Sequence, residues 1–532
     1  MSSTLAQAGG ATLWATHELA FAGPKDGNPF VDVSFSAVFR HGLREVRASG
    51  FYDGDGRYLV RLLPDETGAW TYETRSSAPA LDGLTGSFEV GPAKAGHHGP
   101  VRVSDRHHFR HADGTRYINL GTTAYAWNLQ GDALETQTLT SLAEAPFTKI
   151  RMCVFPKHYR YNEVEPPNYP FVLLETGSNA WDGSFNNGKD AGWRFDFTRF
   201  EPAYFRHLEQ RINDLAAIGV EADLIIFHPY DRWGFSKLRP EEDDRYLRYL
   251  VARLSALPNV WWSMANEYDL MPQKTPQDWE RFIHIVADND PYGHLLSVHN
   301  CFKVYDHSHP RITHASIQRS STAQSAVWRE KYGKPVSIDE CCYEGDIGEL
   351  WGNISGPKMV RRFWDGTVNG GYVTHGETYG NPTDTIWWAK GGRLIGESVA
   401  RIAFLRRILE AGPDEGLDPV KSTGAYRIAI QGGLDNVSMP QLFSAPAGEE
   451  DWPRVSSWWP TAGQPHRYYL SYMGENTPSE FDVAVPPGER YSATLIDTWD
   501  MTETLLSPAV MRGDRLRFAA KPYLAMLLRR ID

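Results

Sequence analysis

The sequence predicts an α/β protein: a (β/α)8 TIM barrel over residues 98–412, with one β-sandwich before it (1–97) and another after it (413–532). Three observations carry that expectation. Eight apolar runs between residues 117 and 374 each end in a polar or aromatic cluster, and helical stretches separate many of them, as in repeated βα units. Before about residue 95, short apolar runs recur between Gly-, Asp- and Pro-bearing turns, the rhythm of a small sandwich. After a helix at about 394–411 the same rhythm returns.

Composition sets outer limits. At 532 residues the chain can hold a barrel with additions. A net charge of −12 leaves no basic excess for a nucleic-acid backbone. The aromatic share of 13%, with 18 Trp and 25 Tyr, suits packed cores and also sugar sites, where ring faces stack on pyranose C–H groups. Cys153, Cys301, Cys341 and Cys342 have no C-x-x-C spacing, so neither zinc nor a disulfide framework is expected. No stretch reaches the length of a membrane helix, and the first residues lack a leader pattern. The expectation is a cytoplasmic protein with no membrane partner and no metal or organic cofactor.

In the N-terminal region the runs PFVDVSFSAVF, EVRASGFYD, RYLVRLLP, AWTYETRS and GSFEV read as strands. Asp53-Gly-Asp-Gly56 reads as a hairpin turn, because the calcium-loop ligands do not follow. His97, His98, His107, His108 and His111 match no zinc spacing and read as surface or interface residues.

The barrel runs follow in order. Tyr117–Gly121 leads to Thr122, Tyr125 and Trp127, and 148–155, carrying Arg151, leads to His158 and Tyr159. Glu221–Phe227 ends in His228-Pro-Tyr, and Val260–Met264 ends in Asn266-Glu267. Leu295–Val298 ends in His299-Asn300, 312–317 in Gln318, and 335–338 in Asp339-Glu340 with Tyr343 beyond. Gly371–Thr374 ends in His375, Glu377 and Tyr379. Helices are expected at 201–218, 241–256 and 276–288. The strand C-terminal ends of such a barrel form its catalytic face. The Pro-, Asn-, Gly- and Trp-rich loop at 160–195 is too long for a passive connection and is expected to line the cleft.

Two glutamates at separate strand ends can flank one glycosidic bond. In a retaining glycosidase the carboxyls lie about 5–5.5 Å apart, one as nucleophile and one as acid then base. Asn266 can donate to a hydroxyl beside the reacting carbon, a bond that strengthens as the oxocarbenium ion develops. Successive strand residues face opposite ways, so only one of Asp339 and Glu340 can easily face the cleft. Arg151, His299 and Tyr343 could hold Glu340 ionised. Trp127, His228, Asn300, Gln318, His375 and Glu377 complete the substrate-binding candidates. Glu344 and Glu349 read as loop charges, Asp497 and Asp500 as structural, and Cys341 and Cys342 as buried inert thiols.

Glu267 after the fourth run and Glu340 after the seventh resemble the clan A glycoside hydrolases. These place an Asn-Glu acid/base after the fourth barrel strand and a nucleophilic Glu after the seventh. The resemblance implies cleavage of an equatorial bond, in a β-D-glycoside or an α-L-arabinofuranoside. Trp387 or Trp388 resembles the aromatic platform that these enzymes put under the reacting sugar. The whole layout resembles glycosidases with an apiosidase-like barrel between two β-sandwiches. Apiosidases carry an Asp as one catalytic carboxylate where this chain has Glu, so the likeness does not extend to apiose as substrate.

The sequence therefore reads as a retaining, exo-acting glycosidase for an oligosaccharide or small glycoside. Glu267 protonates the leaving oxygen, Glu340 attacks, and Glu267 then activates water. A transglycosidase with the same carboxylates and an inactive carbohydrate-binding scaffold are the alternatives. The terminal sandwiches are expected to brace the barrel or to join copies into a homo-oligomer. No Walker A, G-x-S-x-G or dinucleotide fingerprint occurs.

Overall fold

The computed structural model describes residues 10–178, 191–380, 385–420 and 459–532. The N-terminal part forms two facing sheets. One runs in the order Ala11–Thr12, Thr85–Gly91, Gly68–Ser76, Phe35–His41, Arg44–Ser49; the other is His17–Ala22, Arg57–Leu62, Phe51–Tyr52. Strand alternation sends Phe35, Ala37 and Phe39 inward, where they meet Phe21, Val60 and Trp70.

The smaller sheet packs on the barrel through a buried charge cluster. Arg253 reaches Asp53 at 2.8 Å and Glu209 at 2.6 Å, and Arg61 reaches Glu209 at 3.0 Å. Both guanidiniums lie over the Phe51 ring, at 4.5 and 4.9 Å. Asp53, in the turn segment 53–56, is thus a packing residue between the two units.

Eight parallel strands form the central sheet: β1 (Leu120–Thr123), β2 (Lys149–Cys153), β3 (Glu221–Phe227), β4 (Val260–Ala265), β5 (Leu296–Ser297), β6 (Ala315–Gln318), β7 (Val336–Glu340) and β8 (Tyr372–His375). Their order, β5-β4-β3-β2-β1-β8-β7-β6, is that of a TIM barrel, with β8 beside β1. Between β5 and β6 the closure is by Thr313, whose N–H donates to the Leu296 carbonyl at 2.9 Å and whose Oγ1 accepts from Leu296 N at 2.8 Å.

Seven helices cover the ring: α1 (Asp132–Glu144), α2 (Pro202–Ala217), α3 (Pro240–Leu254), α4 (Pro276–Asn289), α5 (Ser325–Tyr332), α6 (Gly356–Val368) and α7 (Ser398–Glu410). The connection 298–314 carries no helix. Proline starts α2, α3 and α4, where its missing N–H costs nothing. The Thr275–Asp278 capping box fixes the start of α4.

One expected boundary is corrected. Tyr117 does not begin the barrel; Arg116–Tyr117 pairs with His108–His111, which pairs in turn with Val101–Ser104, in a small antiparallel sheet. Phe109 and Tyr117 pack on Trp261, near the start of β4, and so plug the N-terminal mouth. An apolar run that closes a barrel end looks the same in sequence as one that enters the wall. His108 joins this sheet to the rest, meeting Tyr372 Oη and Asp418, each at 3.0 Å.

The C-terminal part is a six-stranded sheet, Asp418–Pro419, Thr461–Gln464, Tyr468–Tyr472, Leu524–Arg530, Tyr491–Asp497, Thr502–Val510, with the pair Glu480–Asp482 and Arg515–Arg517. Tyr472 stacks on Trp364 of α6 at 5.5 Å. Of the region expected to form the second β-sandwich, residues 421–458 lie outside the described residues. Among the described residues no helix is long and apolar enough to cross a membrane.

Candidate active site

The barrel interior beneath the catalytic face is polar and paired. Lys149 Nζ lies 3.1 Å from Asp223 and 2.8 Å from Asp339. Ser337 and Thr374 donate to Asp339 Oδ1 at 2.8 and 2.7 Å, and Ser316 to Oδ2 at 2.5 Å. Burial would raise Asp339, but Lys149 and Arg151 hold it well below the usual carboxylate range. Asp339 is therefore an interior counter-ion, while its neighbour Glu340 is the last residue of β7.

Glu340 Oε1 accepts a hydrogen bond from Tyr125 Oη and another from Arg151 Nη1 at 3.3 Å. His299 Nε2 is 3.3 Å from the same oxygen. Gln318, in the amide orientation that satisfies both its ends, donates to Oε2 at 3.0 Å and to the Asn300 carbonyl at 3.1 Å. Burial pushes Glu340 up, yet His299, Arg151 and Tyr125 outweigh it and bring the carboxyl down to about 2. Asn266 Oδ1 accepts from Arg151 Nη2 at 3.2 Å, and Tyr125 Oη, whose one proton goes to Glu340, lies 3.3 Å from it. Its NH2 end is what remains to donate to a ligand.

Glu267 stands just past β4 in the left-handed region, φ 56° and ψ 55°. Such a conformation costs a non-glycine residue about 1–2 kcal/mol and persists where neighbours over-determine it. Here Tyr268 N–H donates to the His299 carbonyl at 3.0 Å and Leu270 N–H to the Glu267 carbonyl at 2.9 Å. Tyr230 Oη donates to Glu267 Oε2. Burial and the nearby Glu340 charge push Glu267 up to about 7, against the opposing pull of Tyr230, Lys157 and Cys301. Two buried carboxyls thus titrate far apart, one suited to staying ionised and the other to carrying a proton.

An aromatic wall adjoins them. Trp388 lies 5.4 Å from Tyr125, 5.3 Å from Tyr159, 5.3 Å from Tyr343 and 4.8 Å from Trp351. Tyr343 belongs to this wall, and Tyr125 is the phenol that donates to Glu340. Glu349 ties the wall together, accepting from Tyr161 Oη and from Arg160 at 2.9 Å. The loop expected over 160–195 contains the hairpin Phe171–Glu175 and Arg194–Phe200; residues 179–190 lie outside the described residues.

Several candidates are placed elsewhere. Trp127 is wholly buried in the apolar core beside α1. Trp387 is buried in the apolar core and donates to Thr122 Oγ1 at 2.9 Å. His375 stacks on Phe147 at 4.8 Å and meets Thr122 at 3.2 Å, because Thr374 before it takes the interior face. His228 meets the Phe155 carbonyl at 3.2 Å, and burial pushes its imidazole down to about 3. Asn300 faces Gln318 and Cys301, accepting from Gln318 N at 3.3 Å. Glu377 accepts from Ile395 N–H at 2.6 Å, and Glu344, fully buried, accepts from Glu397 N–H at 2.8 Å. These two carboxylates organise the loop before α7, and Glu344 is not a loop charge. Cys341 is buried, and burial pushes its thiol up to about 12.

Lys157, Tyr125 and Tyr230 were not singled out as site residues by sequence reasoning. All three follow a barrel strand within a few residues, the one signal that could have found them.

Glu267 and Glu340 stand at the ends of β4 and β7 of a parallel barrel, and comparison with known proteins gives a glycoside hydrolase. The apiosidase-like catalytic domain family matches residues 103–401, and the chain belongs to it. Domains of unknown function DUF5060 and DUF5605 match residues 11–77 and 458–529. A crystal structure of a "putative glycoside hydrolase" from Bacteroides vulgatus ATCC 8482 is similar at 36% identity and TM-score 0.85, over 98% of this chain and 99% of that one. A family 5 glycoside hydrolase from the same organism shares the fold at TM-score 0.55 and 14% identity, over 81% of this chain and 93% of that one. A comparison with curated proteins gives no match.

Proposed function

We propose that this glycosidase works by retention and from a chain end, with Glu340 as nucleophile and Glu267 as acid and then base. The observation that carries the reading is the split between the two carboxyls, about 2 for Glu340 and about 7 for Glu267. Below pH 7 Glu340 is an anion and Glu267 holds a proton. Glu267 protonates the leaving oxygen as Glu340 attacks the anomeric carbon. Loss of the leaving group then frees Glu267 to take a proton from water, which displaces Glu340. Asn266, held through Oδ1 by Arg151, is free to donate from its NH2 end to the hydroxyl beside the reacting carbon.

The substrate bond is an equatorial one, in a β-D-glycoside or an α-L-arabinofuranoside, and the cellular site is the cytoplasm. Nitrophenyl glycosides of both anomers and both ring sizes, tested on wild type, Glu340→Ala and Glu267→Ala, decide the roles. One sugar should react, Glu340→Ala should be inactive, and azide should rescue it with an inverted product. Equal cleavage by wild type and both variants would overturn the assignment. A disaccharide product in place of free sugar would mark the transglycosidase reading.

A further inference from the structure

Lys157, four residues past β2, is only 2% exposed. Its Nζ is 3.4 Å from the Tyr125 ring centroid, 4.1 Å from Tyr230, 4.7 Å from Tyr159 and 5.4 Å from Trp388. Tyr125 is the phenol on Glu340 and Tyr230 the phenol on Glu267, so the ammonium sits between the supports of both carboxyls. Among the described residues Nζ has ring faces around it and no hydrogen-bond or ion-pair acceptor.

Buried ammonium groups are retained where something pairs with them. The acids at hand are already engaged. Glu340 is held by Arg151, Tyr125 and Gln318, and Glu267 is the group that must carry a proton. Positive charge also builds on the sugar ring as the bond breaks, and the ammonium, whose burial outweighs the pull of Glu267 and Glu340, opposes that step. A neutral sugar would offer Nζ hydroxyl oxygens and leave the opposition in place. A sugar carboxylate would remove it, and its oxygens can accept from the ammonium's three N–H groups.

We propose that Lys157 is the recognition point for a sugar carboxylate, and that the substrate class is the glycosides of uronic acids. This rests on the reading of Glu267 and Glu340 as a glycosidase centre. Lys157 is then a specificity-determining residue: it selects the sugar by its charge, while the ring faces hold the ammonium in place.

The test measures binding and turnover separately, on the full chain. Calorimetry compares sodium D-glucuronate and D-galacturonate with D-glucose and D-galactose, on wild type, Lys157→Met and Lys157→Gln. Nitrophenyl uronides and their neutral counterparts give the matching turnover ratios. A uronate should bind wild type about 10- to 100-fold tighter than its neutral counterpart, the range of a charge-assisted bond, and both variants should lose that preference. Equal binding of acid and neutral sugars, or a uronate preference that survives in both variants, overturns the proposal. The Gln variant, with its polar tip, serves if the Met variant does not fold. Lys157-dependent uronate binding with no glycoside cleaved would leave the carboxylate site standing and sink the retaining centre. Faster cleavage of neutral glycosides, abolished by Glu340→Ala, would do the reverse.

Discussion

Glu340 and Glu267 act on each other through their charges: the anion at Glu340 helps to push Glu267 up to about 7, while Glu340 itself lies at about 2. On the proposed roles, activity needs the basic form of Glu340, whose pKa is lowered, and the acidic form of Glu267, whose pKa is raised. kcat/KM should fall on the acid side as pH drops through about 2, provided the chain stays folded, and on the alkaline side as pH rises through about 7. The groups facing Glu267 are Glu340, Tyr230, Lys157 and Cys301. A pH–rate profile from pH 3 to 9 checks the alkaline limb; a flat profile across pH 7 would remove Glu267 as the acid.

Tyr230 donates to Glu267 and so favours its ionised form. In Tyr230→Phe that bond is absent, and the alkaline limb should move to higher pH. Turnover should drop about 10-fold, the worth of one hydrogen bond to a charged group, once Glu267 must act as base. The profile separates this from general damage, which would lower the rate without moving the limb.

Strand ends were legible because buried parallel strands read as apolar runs and the residue after each run must emerge at the catalytic face. That logic placed Glu267 and Glu340 at the ends of β4 and β7, and the period of two separated Asp339 from Glu340. It stops at the loops. Tyr125 and Trp127 both follow β1 and both are aromatic, yet the first meets Glu340 and the second is core. Nothing periodic in the sequence distinguishes them, because a 3-10 turn at Trp127–Leu129 sets their directions. Trp387 and Trp388 pose the same problem on a one-turn helix. Lys157 escaped for a different reason: a lysine in sequence looks like solvent-exposed charge, and only the ring faces of four residues from separate loops bury it.

Asp339 should matter to stability as much as to activity. Asp339→Asn leaves Lys149 with Asp223 alone and takes a counter-charge from Arg151, both wholly buried. Breaking a buried pair in this way costs about 3–5 kcal/mol. The wild-type contribution comes from a lowered folded-state value, so it is fully present above the unfolded value near about 3.9 and is lost as pH falls through the folded one. Denaturant melts at pH 7 and pH 3 check both parts. A variant as stable as wild type at pH 7 would show that the Lys149 cluster is strained rather than supporting.

The neighbours Trp387 and Trp388 should separate cleanly by readout. Trp387 belongs to the buried apolar core and donates to Thr122, so Trp387→Ala should cost about 3–5 kcal/mol of stability in a denaturant melt. Trp388 packs among Tyr125, Tyr159, Tyr343 and Trp351 beside Lys157, where a sugar ring would stack. Trp388→Ala should raise KM about 10-fold, the scale of one aromatic contact, and lower stability less than Trp387→Ala does. The reverse pattern, with Trp387→Ala stable but weak in binding, would mean that the platform under the sugar is Trp387 and that the short helix Trp387–Lys390 turns when substrate enters.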